Sequence, residues 1–428
     1  MDIAQLAQAA RAASIKLVAI DTNTKNKALS QIAKALRDNS AQIIAANEED
    51  LEKARSENLS APLLKRLKFD EAKIDDVISG IESLIKLDDP VGKTQSATEL
   101  DAGLELYKVS CPIGVIGVIF ESRPDALVQI STLCLKSGNA VLLKGGSEAA
   151  KTNAILAKVI AEASIKAGLP DGWLGLLETR QDVAAMLKLD EYIDLIVPRG
   201  SNEFVKHIMN NTNIPVLGHA DGICHVYVDA EADLDMAVKV TVDSKCQYPA
   251  VCNAAETLLV DEKIAGKFLP MIRTEYDKQG VEIRGCEKTV AIIGGKKATE
   301  QDWSTEYLDK MISIKVVGGV DEAVEHINKY GSHHTDAIVT NNEAAAKKFL
   351  DLVDSADVFW NCSTRFADGF RYGLGAEVGI STNKIHARGP VGLEGLLIYK
   401  WKLIGCGQIV ADYSGSKAKK FTHRKLQD

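Results

Sequence analysis

The stretch GVIGVIFESRPDALVQISTLCLKSGNAVLLKGGSEAAKTN, residues 114–153, sets the pattern of the fold. It contains two short apolar runs, Val115–Phe120 and Ala140–Leu143, whose length and β-branched content are typical of buried strands. An amphipathic helical stretch, Ala149–Ala167, follows the second run. Strands that alternate with helices predict a twisted, largely parallel sheet with helices on both faces.

The same alternation continues along most of the chain. Further strands are predicted at Trp173–Leu177, Asp194–Val197, His225–Val228, Thr257–Val260, Ser313–Val317, Ala337–Thr340 and Val358–Trp360, and further helices at Asn202–Asn210, Asp321–Tyr330 and Asn342–Leu352. The alternation of strands and helices is interrupted near residue 253 and then continues. Two α/β domains are therefore the simplest interpretation. The first ninety residues are predicted to be helical, because Leu29, Ile32 and Leu36 fall at helical spacing.

Two further stretches lie outside this rhythm. The alternating residues Leu104–Val109 predict an exposed ribbon strand that is not part of a core, and the run Leu396–Val410 could pair with it. Such a strand pair could serve contacts between copies of the chain.

Bulk composition excludes several functional classes. The chain has 428 residues, 46% hydrophobic and 26% charged, and a net charge of −8, which gives no electrostatic footprint for nucleic acid or an anionic membrane. The first twenty residues do not resemble a signal peptide, and no apolar run reaches the roughly 18 residues of a membrane span. Eight cysteines are scattered without CxxC pairs, which is typical of reduced thiols. We therefore expect a cytoplasmic protein.

One strand-to-helix turn has the chemistry of a phosphate site, although neither GxxxxGK[ST] nor GxGxxG after a strand is present. In VLLKGGSEAAKTN, residues 141–153, a strand ends at Lys144, two glycines allow a tight turn, and Ser147 is placed to cap a helix beginning at Glu148. Free backbone amides at a helix start favour a phosphate. A simple turn explains the same letters. VPRGSNEF repeats the layout with Gly200 and Ser201.

A cysteine lies just before a predicted strand in KCQYPAVCNAAETLLV, residues 245–260. Cys252, followed by the polar Asn253, is a nucleophile if its thiol loses a proton, or else a small buried hydrophobe. Cys246 lies six residues earlier, but no histidine or cysteine stands at zinc spacing from the pair. We expect no metal.

Two loops concentrate other polar residues. HINKYGSHHTDAIVT, residues 326–340, contains His333 and His334, which are either a ligand pair or, since chain neighbours usually point apart, a loop polar cluster. STNKIHARGPVGLEGL, residues 381–396, places His386 and Arg388 in a glycine-rich loop, where a carboxylate or phosphate could bind.

In this order, these stretches resemble the aldehyde dehydrogenase superfamily, and within it the family that reduces γ-glutamyl phosphate in proline synthesis. The resemblance extends over nearly the whole chain, and its specific parts are the cysteine and histidine stretches. It implies two Rossmann-like α/β domains and a small β flap for oligomerisation. The implied boundaries are 1–96 and 112–222 for an NADP(H)-binding domain, 223–395 for a catalytic domain, and 97–111 with 396–428 for the oligomerisation ribbon and tail.

The resemblance also implies roles for single residues. Cys252 matches the catalytic cysteine, Lys144 and Ser147 the adenosine-ribose site, Gly200 and Ser201 the loop under the cofactor, and Glu306 the glutamate that holds the nicotinamide ribose. In the implied reaction, the thiolate attacks the acyl phosphate and phosphate leaves. Hydride then converts the thioester to a hemithioacetal, which collapses to the aldehyde.

Two departures from general aldehyde dehydrogenases bear on the reaction. Those enzymes use a glutamate to activate the water that hydrolyses the thioester, whereas VLGHADG, residues 216–222, has Leu217 at the matching place. This favours exchange with phosphate over hydrolysis. Ser122 stands where those enzymes have the asparagine that donates to the oxyanion. The backbone amide of Cys252 could donate to the oxyanion instead, and the sequence does not identify a second donor.

Cofactor and substrate preferences follow from charge. NAD-preferring relatives have a glutamate at the place of Ser147, which would repel a 2′-phosphate, so NADPH is favoured here. The α-carboxylate of γ-glutamyl phosphate needs a cation, and the candidates are Arg123, Arg371, His386 and Arg388.

The resemblance also suggests partners and two rival functions. We expect a homo-oligomer and, because the substrate is labile, transient contact with a separate glutamate 5-kinase. The alternatives are a CoA-acylating aldehyde dehydrogenase and a catalytically silent nucleotide-binding protein on the same fold.

Overall fold

The structure, a computed structural model, describes residues 2–121, 123–200, 202–219, 221–375 and 377–426. The chain divides into two compact units. The first contains Met1–Gly200, Ile208–Val216 and Gly392–Asp428, and the second contains Ser201–His207 and Leu217–Val391. Among the described residues, no helix combines the length and the apolar composition needed to cross a membrane.

The helices and strands are defined here in chain order. The α-helices are α1 Ile3–Leu17, α2 Thr22–Asp38, α3 Ser40–Ser56, α4 Ala61–Leu67, α5 Glu71–Lys86, α6 Pro124–Lys136, α7 Ala150–Ala167, α8 Arg180–Met186, α9 Asn202–Asn210, α10 Leu234–Cys246, α11 Glu262–Gln279, α12 Glu287–Ile293, α13 Val320–Tyr330 and α14 Glu343–Leu352. The strands are β1 Thr94–Asp101, β2 Leu104–Pro112, β3 Val115–Phe120, β4 Ala140–Lys144, β5 Leu174–Leu176, β6 Leu195–Arg199, β7 Cys224–Val228, β8 Ala255–Asp261, β9 Glu282–Gly285, β10 Lys296–Lys297, β11 Met311–Val317, β12 Thr335–Val339, β13 Asp357–Trp360, β14 Gly379–Ser381, β15 Gly389–Val391, β16 Leu397–Ile404 and β17 Arg424–Lys425.

A parallel sheet forms the centre of the first unit. Its strands lie in the order β5-β4-β3-β6, and all residues of β3 and β4 are buried. The amino-terminal helices α1–α5 belong to this unit, as the helical spacing of the first ninety residues predicts. In α2, Leu29, Ile32 and Leu36 are fully buried, and the helix packs against α5 and α7. Apolar burial of this kind supplies most of the stability of an amphipathic helix.

An antiparallel sheet, β16-β2-β1-β17, belongs to the same unit. The predicted pairing of the two outlying stretches is confirmed, because β16 pairs with β2 from Leu397↔Pro112 to Ile404↔Glu105. The prediction that Leu104–Val109 is simply exposed is wrong, because Leu104 and Val109 are buried. The strand also continues to Pro112, and its last four residues are all buried.

The second unit is built on a seven-stranded sheet in the order β10-β9-β11-β8-β7-β12-β13, with parallel pairing between neighbours. Helices α10 and α11 pack against β8, and α13 and α14 contact β11 and β12. The predicted α/β class is confirmed. Because parallel strands begin at the same edge of a sheet, residues just before β8, β7 and β12 are brought together.

Candidate functional site

Cys252 lies in a tight turn at this edge, three residues before β8. The amide of Ala254 donates to the carbonyl of Val251 (3.1 Å), which closes the turn around Cys252 and Asn253. Within the described part of the chain, the amides of Cys252 and Asn253 donate no hydrogen bond. The turn therefore presents a half-buried thiol beside two available amide donors.

The start of β7 packs against the back of this turn. A side chain at Gly222 would place its Cβ 2.3 Å from the Cys252 carbonyl oxygen and 2.5 Å from the Cys252 Cβ, so only glycine fits there. The Cys224 thiol donates to the same carbonyl (3.2 Å), and burial raises its pKa well above the usual value, which keeps it a donor. Leu217 is also fully buried.

His334, the residue just before β12, supplies a proton acceptor for Cys252. Its Nε2 lies 3.2 Å from Cys252 Sγ, and its Nδ1 lies 2.8 Å from Thr335 Oγ1. In the tautomer whose Nδ1–H donates to Thr335, Nε2 accepts from the thiol. His333 points elsewhere, with Nδ1 2.7 Å from the Asp354 carbonyl, and its positive φ of 60° accompanies this turn of the chain. Of the two interpretations of this histidine pair, neither foresaw a contact with Cys252.

A second histidine completes the cluster. The His219 ring meets the His334 ring edge-on at 4.9 Å, and its Nδ1 lies 3.0 Å from the Ile380 carbonyl. One donor atom each from His219, Cys252 and His334 lies within 4.8 Å of the other two. Two imidazoles and a thiol are a donor set that zinc accepts. The expectation of no metal used local sequence spacing, which cannot detect donors that come from three distant segments.

Asn253 holds the turn on its other side. Its Nδ2 donates to the Ala367 carbonyl (2.8 Å), and its carbonyl accepts from Thr364 Oγ1 (2.7 Å). Its Oδ1 is buried without a hydrogen bond from any described residue. The side chain is thus anchored on the segment 363–367, and its geometry fits a structural role next to the thiol.

A buried ion pair flanks the same turn. Lys245 and Glu256 are both inaccessible to solvent, and the Lys245 ammonium lies 2.5 Å from Glu256 Oε2. Burial raises the pKa of Glu256 to about 7, while Lys245 acts in the opposite direction. Because the two residues stand on either side of the Cys252 turn in the chain, the pair ties its two ends together.

Glu306 and the start of α9 are linked in the second unit. The side-chain amide of Asn202 donates to Glu306 Oε2 (2.6 Å) and to Asp221 Oδ1 (3.0 Å). Glu306 is half-buried. The neighbouring candidate Ser201 lies outside the described residues, as does Ser122.

The turn after β4 forms a cavity in the first unit. Its volume is about 240 Å³, and it is lined by Gly145, Gly146, Ser147, Asn153 and Glu178 among others. A Cβ at Gly145 would meet Asn153 Nδ2 at 2.1 Å, and the buried Asn153 Oδ1 has no hydrogen-bond partner among the described residues. A cradle that requires glycine and an unsatisfied polar atom fit the binding of a polar group such as a ribose.

Ser147 is not a helix cap. Residues Ser147–Ala149 form a 3₁₀ turn that begins after Gly146, and α7 starts only at Ala150 with no side-chain cap. The expected cap is therefore wrong, because the 3₁₀ turn displaces the helix start by two residues. Ser147 is instead exposed and lines the cavity. The Lys144 ammonium hydrogen-bonds the Gly145 carbonyl, and Gly200 is exposed after β6.

The predicted carboxylate-binding residues have different surroundings. In the first unit, Arg123 is exposed and pairs with Asp125 (2.8 Å). In the second, Arg388 is held by Asp354 Oδ1 (3.2 Å) and by the Asp354 and Thr382 carbonyls. His386 is exposed on the same loop.

Sequence reasoning missed one cation of the second unit entirely. Arg365, in TRF after β13, is only 9% exposed. An arginine beside the specific cysteine stretch cannot be recognised from spacing, because more than a hundred residues separate the two.

Comparisons with known proteins identify the family of the chain. The model of the aldehyde dehydrogenase family matches residues 1–292. Proteins named gamma-glutamyl phosphate reductase from Pelotomaculum thermopropionicum and Acetivibrio thermocellus are 66% and 65% identical to this chain, covering 100% of it and 98% and 99% of their own lengths. The crystal structure of gamma-glutamyl phosphate reductase from Thermotoga maritima is 44% identical, with a TM-score of 0.93, and the match covers 96% of this chain and 100% of that one.

These matches extend over both units, and the sequence identity is far above the level at which only a fold is shared. Members of the aldehyde dehydrogenase family use nicotinamide cofactors. The chain is therefore an oxidoreductase that belongs to the γ-glutamyl phosphate reductase family, within the aldehyde dehydrogenase superfamily.

Proposed function

We propose that this chain reduces γ-glutamyl phosphate to glutamate 5-semialdehyde with release of phosphate, using Cys252 as nucleophile and NADPH as reductant. The observation that carries the proposal is the 3.2 Å contact between Cys252 Sγ and His334 Nε2 in a turn with two available amides. The names of the relatives at 65–66% identity support the choice of substrate.

The chain's own residues supply the proton transfers. His334 Nε2 takes the thiol proton, and the Cys252 thiolate attacks the γ-carbonyl carbon. The carbon–oxygen bond to phosphate breaks, a thioester forms, and the His334 proton leaves with the phosphate. The backbone amides of Cys252 and Asn253 donate to the oxyanion. A contribution from Ser122 to oxyanion binding is suggested by the family resemblance alone.

When bound, the nicotinamide supplies the hydride that reduces the thioester carbon. The resulting hemithioacetal oxyanion collapses, the carbon–sulfur bond breaks, and the aldehyde leaves. Cys252 is released as a thiolate, which regains a proton from solvent before the next cycle. Protons and electrons then balance for one NADPH and one proton consumed per aldehyde formed.

Leu217 directs the thioester toward phosphate. In hydrolytic relatives the resemblance places a glutamate there, but a buried leucine cannot accept a proton from water. An enzyme that releases a free carboxylate needs such a base, whereas exchange with phosphate does not. This supports the phosphate-linked reaction over hydrolytic aldehyde oxidation.

The cofactor site is assigned from the cavity after β4. The family resemblance assigns Lys144 and Ser147 to the adenosine ribose, Gly200 and Ser201 to the loop under the cofactor, and Glu306 to the nicotinamide ribose. The exposed, uncharged Ser147 tolerates a 2′-phosphate that a glutamate would repel, so NADPH is preferred to NADH. Glu178 lines the same cavity and opposes this preference, which a Ser147 variant can measure.

The substrate's amino-acid end is assigned to the loop of the second unit that contains His386 and Arg388, and the role of Arg123 rests on the family resemblance alone. Because three hydrogen bonds hold the Arg388 guanidinium, we assign Arg388 the task of fixing this loop. We assign the carboxylate to His386, which is exposed on the same loop.

The two units receive different tasks in this proposal. The unit with Lys144 and Ser147 binds the cofactor, and the unit with Cys252 performs the chemistry. The antiparallel sheet is proposed for homo-oligomerisation, since its edge strand β16 exposes Ile398, Trp401 and Leu403 by 41%, 55% and 56%. Transient contact with a glutamate 5-kinase would protect the labile acyl phosphate.

One assay tests the reaction class. Glutamate 5-semialdehyde, NADP and inorganic phosphate should together produce NADPH absorbance in the reverse direction. Replacing phosphate with CoA should not sustain turnover. Sustained turnover with CoA and none with phosphate would contradict the proposal and favour an acyl-CoA reaction.

A further inference from the structure

Arg365 is a buried cation whose charge the described residues do not balance by a salt bridge. Its side chain is 9% exposed, and its Nε donates to Gln247 Oε1 (3.0 Å). Its two terminal nitrogens donate no hydrogen bond to any described residue. A guanidinium presents five N–H donors in a planar fork, so four of them are available here.

The backbone places Arg365 beside the nucleophile. Thr364 Oγ1 donates to the carbonyl of Asn253, and Asn253 Nδ2 donates to the carbonyl of Ala367. The residues on either side of Arg365 are thus tied to the residue after Cys252. Burial lowers the pKa of Arg365, and a negative charge on Cys252 acts in the opposite direction, as expected for neighbouring groups.

A second guanidinium, that of Arg371, contacts the backbone of Arg365. Arg371 Nη1 donates to the carbonyl of Arg365 (2.7 Å), and its positive charge lowers the pKa of Arg365. The acidic neighbours are Asp243 and Asp368, of which Asp368 pairs with Arg371 at 3.6 Å. Arg371 is exposed and already paired, whereas the Arg365 guanidinium is buried without a salt bridge, which is unfavourable unless an anion binds to it.

We propose that Arg365 and Arg371 form the binding site for the phosphoryl group of the substrate and for inorganic phosphate in the reverse direction. This inference rests on the proposed function, in which the phosphate leaves from the carbon that Cys252 attacks. A planar fork can bind two phosphate oxygens at once, and Gln247 fixes its orientation. Phosphate carries two negative charges and a carboxylate only one, so phosphate balances the charges of two arginines better.

Reverse-direction kinetics separate phosphate from carboxylate binding. Arg365→Gln and Arg371→Gln should each raise the KM for phosphate, by about 10- to 100-fold for Arg365→Gln, because a charge-assisted hydrogen bond is lost. The KM for glutamate 5-semialdehyde should stay within about twofold of the unmodified value, since the aldehyde lacks the phosphoryl group. Arg365→Lys keeps the charge but not the fork, and should recover only part of the affinity.

A second readout needs no cofactor. Inorganic phosphate should slow alkylation of Cys252 by iodoacetamide, measured by peptide mass spectrometry so that the exposed Cys406 is counted separately. This protection should disappear in Arg365→Gln. Arg273→Gln removes a half-buried arginine that pairs with Asp277 in α11, and should behave like the unmodified enzyme.

The outcomes distinguish this inference from the proposed function. If both arginine variants fold, by circular dichroism, and keep the phosphate KM while the unmodified enzyme needs phosphate, only the phosphate-site inference fails. A raised KM for the semialdehyde with an unchanged phosphate KM would assign the arginines to the α-carboxylate and overturn the inference. If the unmodified enzyme turns over without phosphate, the proposed function itself fails.

Discussion

Withholding phosphate tests the role of Leu217 most directly. With glutamate 5-semialdehyde and NADP alone, hydride leaves the hemithioacetal once, and a thioester remains on Cys252. Each chain has one such thiol, so the burst of NADPH should approach one per active site. The steady rate that follows depends on how fast water cleaves the thioester.

The absence of a base at Leu217 determines how far the rate of NADPH formation should fall after the burst. A positioned general base contributes about 10²–10⁴ to a rate, which corresponds to about 3–5 kcal/mol of activation free energy. Leu217 is fully buried and has no proton acceptor. The rate after the burst should therefore be at least about 100-fold below the rate with phosphate, and adding phosphate or arsenate should restore turnover.

Stopped-flow absorbance of NADPH measures both phases in one experiment. Steady phosphate-independent turnover without a burst would refute the reasoning, and would point to His219 or His334 as a group that activates water. Leu217→Glu tests the converse, although a carboxylate at a buried site costs stability and a grafted base is rarely well placed. Folding of this variant must be checked before its hydrolytic rate is interpreted.

Three further predictions concern other parts of the chain. Cys252→Ala should abolish turnover while NADPH binding, followed by fluorescence, stays nearly unchanged, and Cys246→Ala should keep most activity; the reverse pattern would move the nucleophile. Ser147→Glu should reduce kcat/KM for NADPH relative to NADH by about 10- to 100-fold, since a negative charge near a phosphate costs about 1–3 kcal/mol, and an unchanged ratio would remove Ser147 from the site. Lys245→Met should cost about 3–5 kcal/mol by leaving the Glu256 carboxylate buried and unpaired, and adding Glu256→Leu should recover most of the thermal midpoint. Burial holds the folded pKa of Glu256 above its usual 4.5, so the stability of Lys245→Met should fall as the pH rises from 4.5 through 7, and a flat profile would contradict this.

The sequence predicted the fold class well because its signal is local. Buried strands such as β3 are continuous apolar runs, and Val115–Phe120 begins and ends where predicted. The cysteine was singled out by family resemblance, not by spacing. Short edge strands such as β10 and β17, two residues each, have too few residues to show a period and were missed.

The surroundings of Cys252 could not be predicted in the same way. His334 and Arg365 reach the turn only because β12 lies beside β7, and because the segment after β13 folds back onto Asn253. Such contacts depend on strand order, which a periodic pattern does not contain. The prediction that Ser147 caps the helix was wrong for a local reason. A 3₁₀ turn and the first turn of an α-helix have similar sequences.

The packing of Gly222 adds a second physical reason for slow hydrolysis. Where a Cβ would lie within 2.5 Å of Cys252 atoms, a water molecule has no room either, so one face of the Cys252 turn is closed by backbone. The Cys224 thiol occupies the carbonyl on that side. Gly222 lies against the Cys252 carbonyl, Cα and Cβ, so it closes the approach from behind the turn, and we place the phosphoryl group and Arg365 on the other side. Under this proposal, two features slow hydrolysis. Leu217 offers no base that could activate a water molecule, and the packing at Gly222 closes one direction from which water could approach.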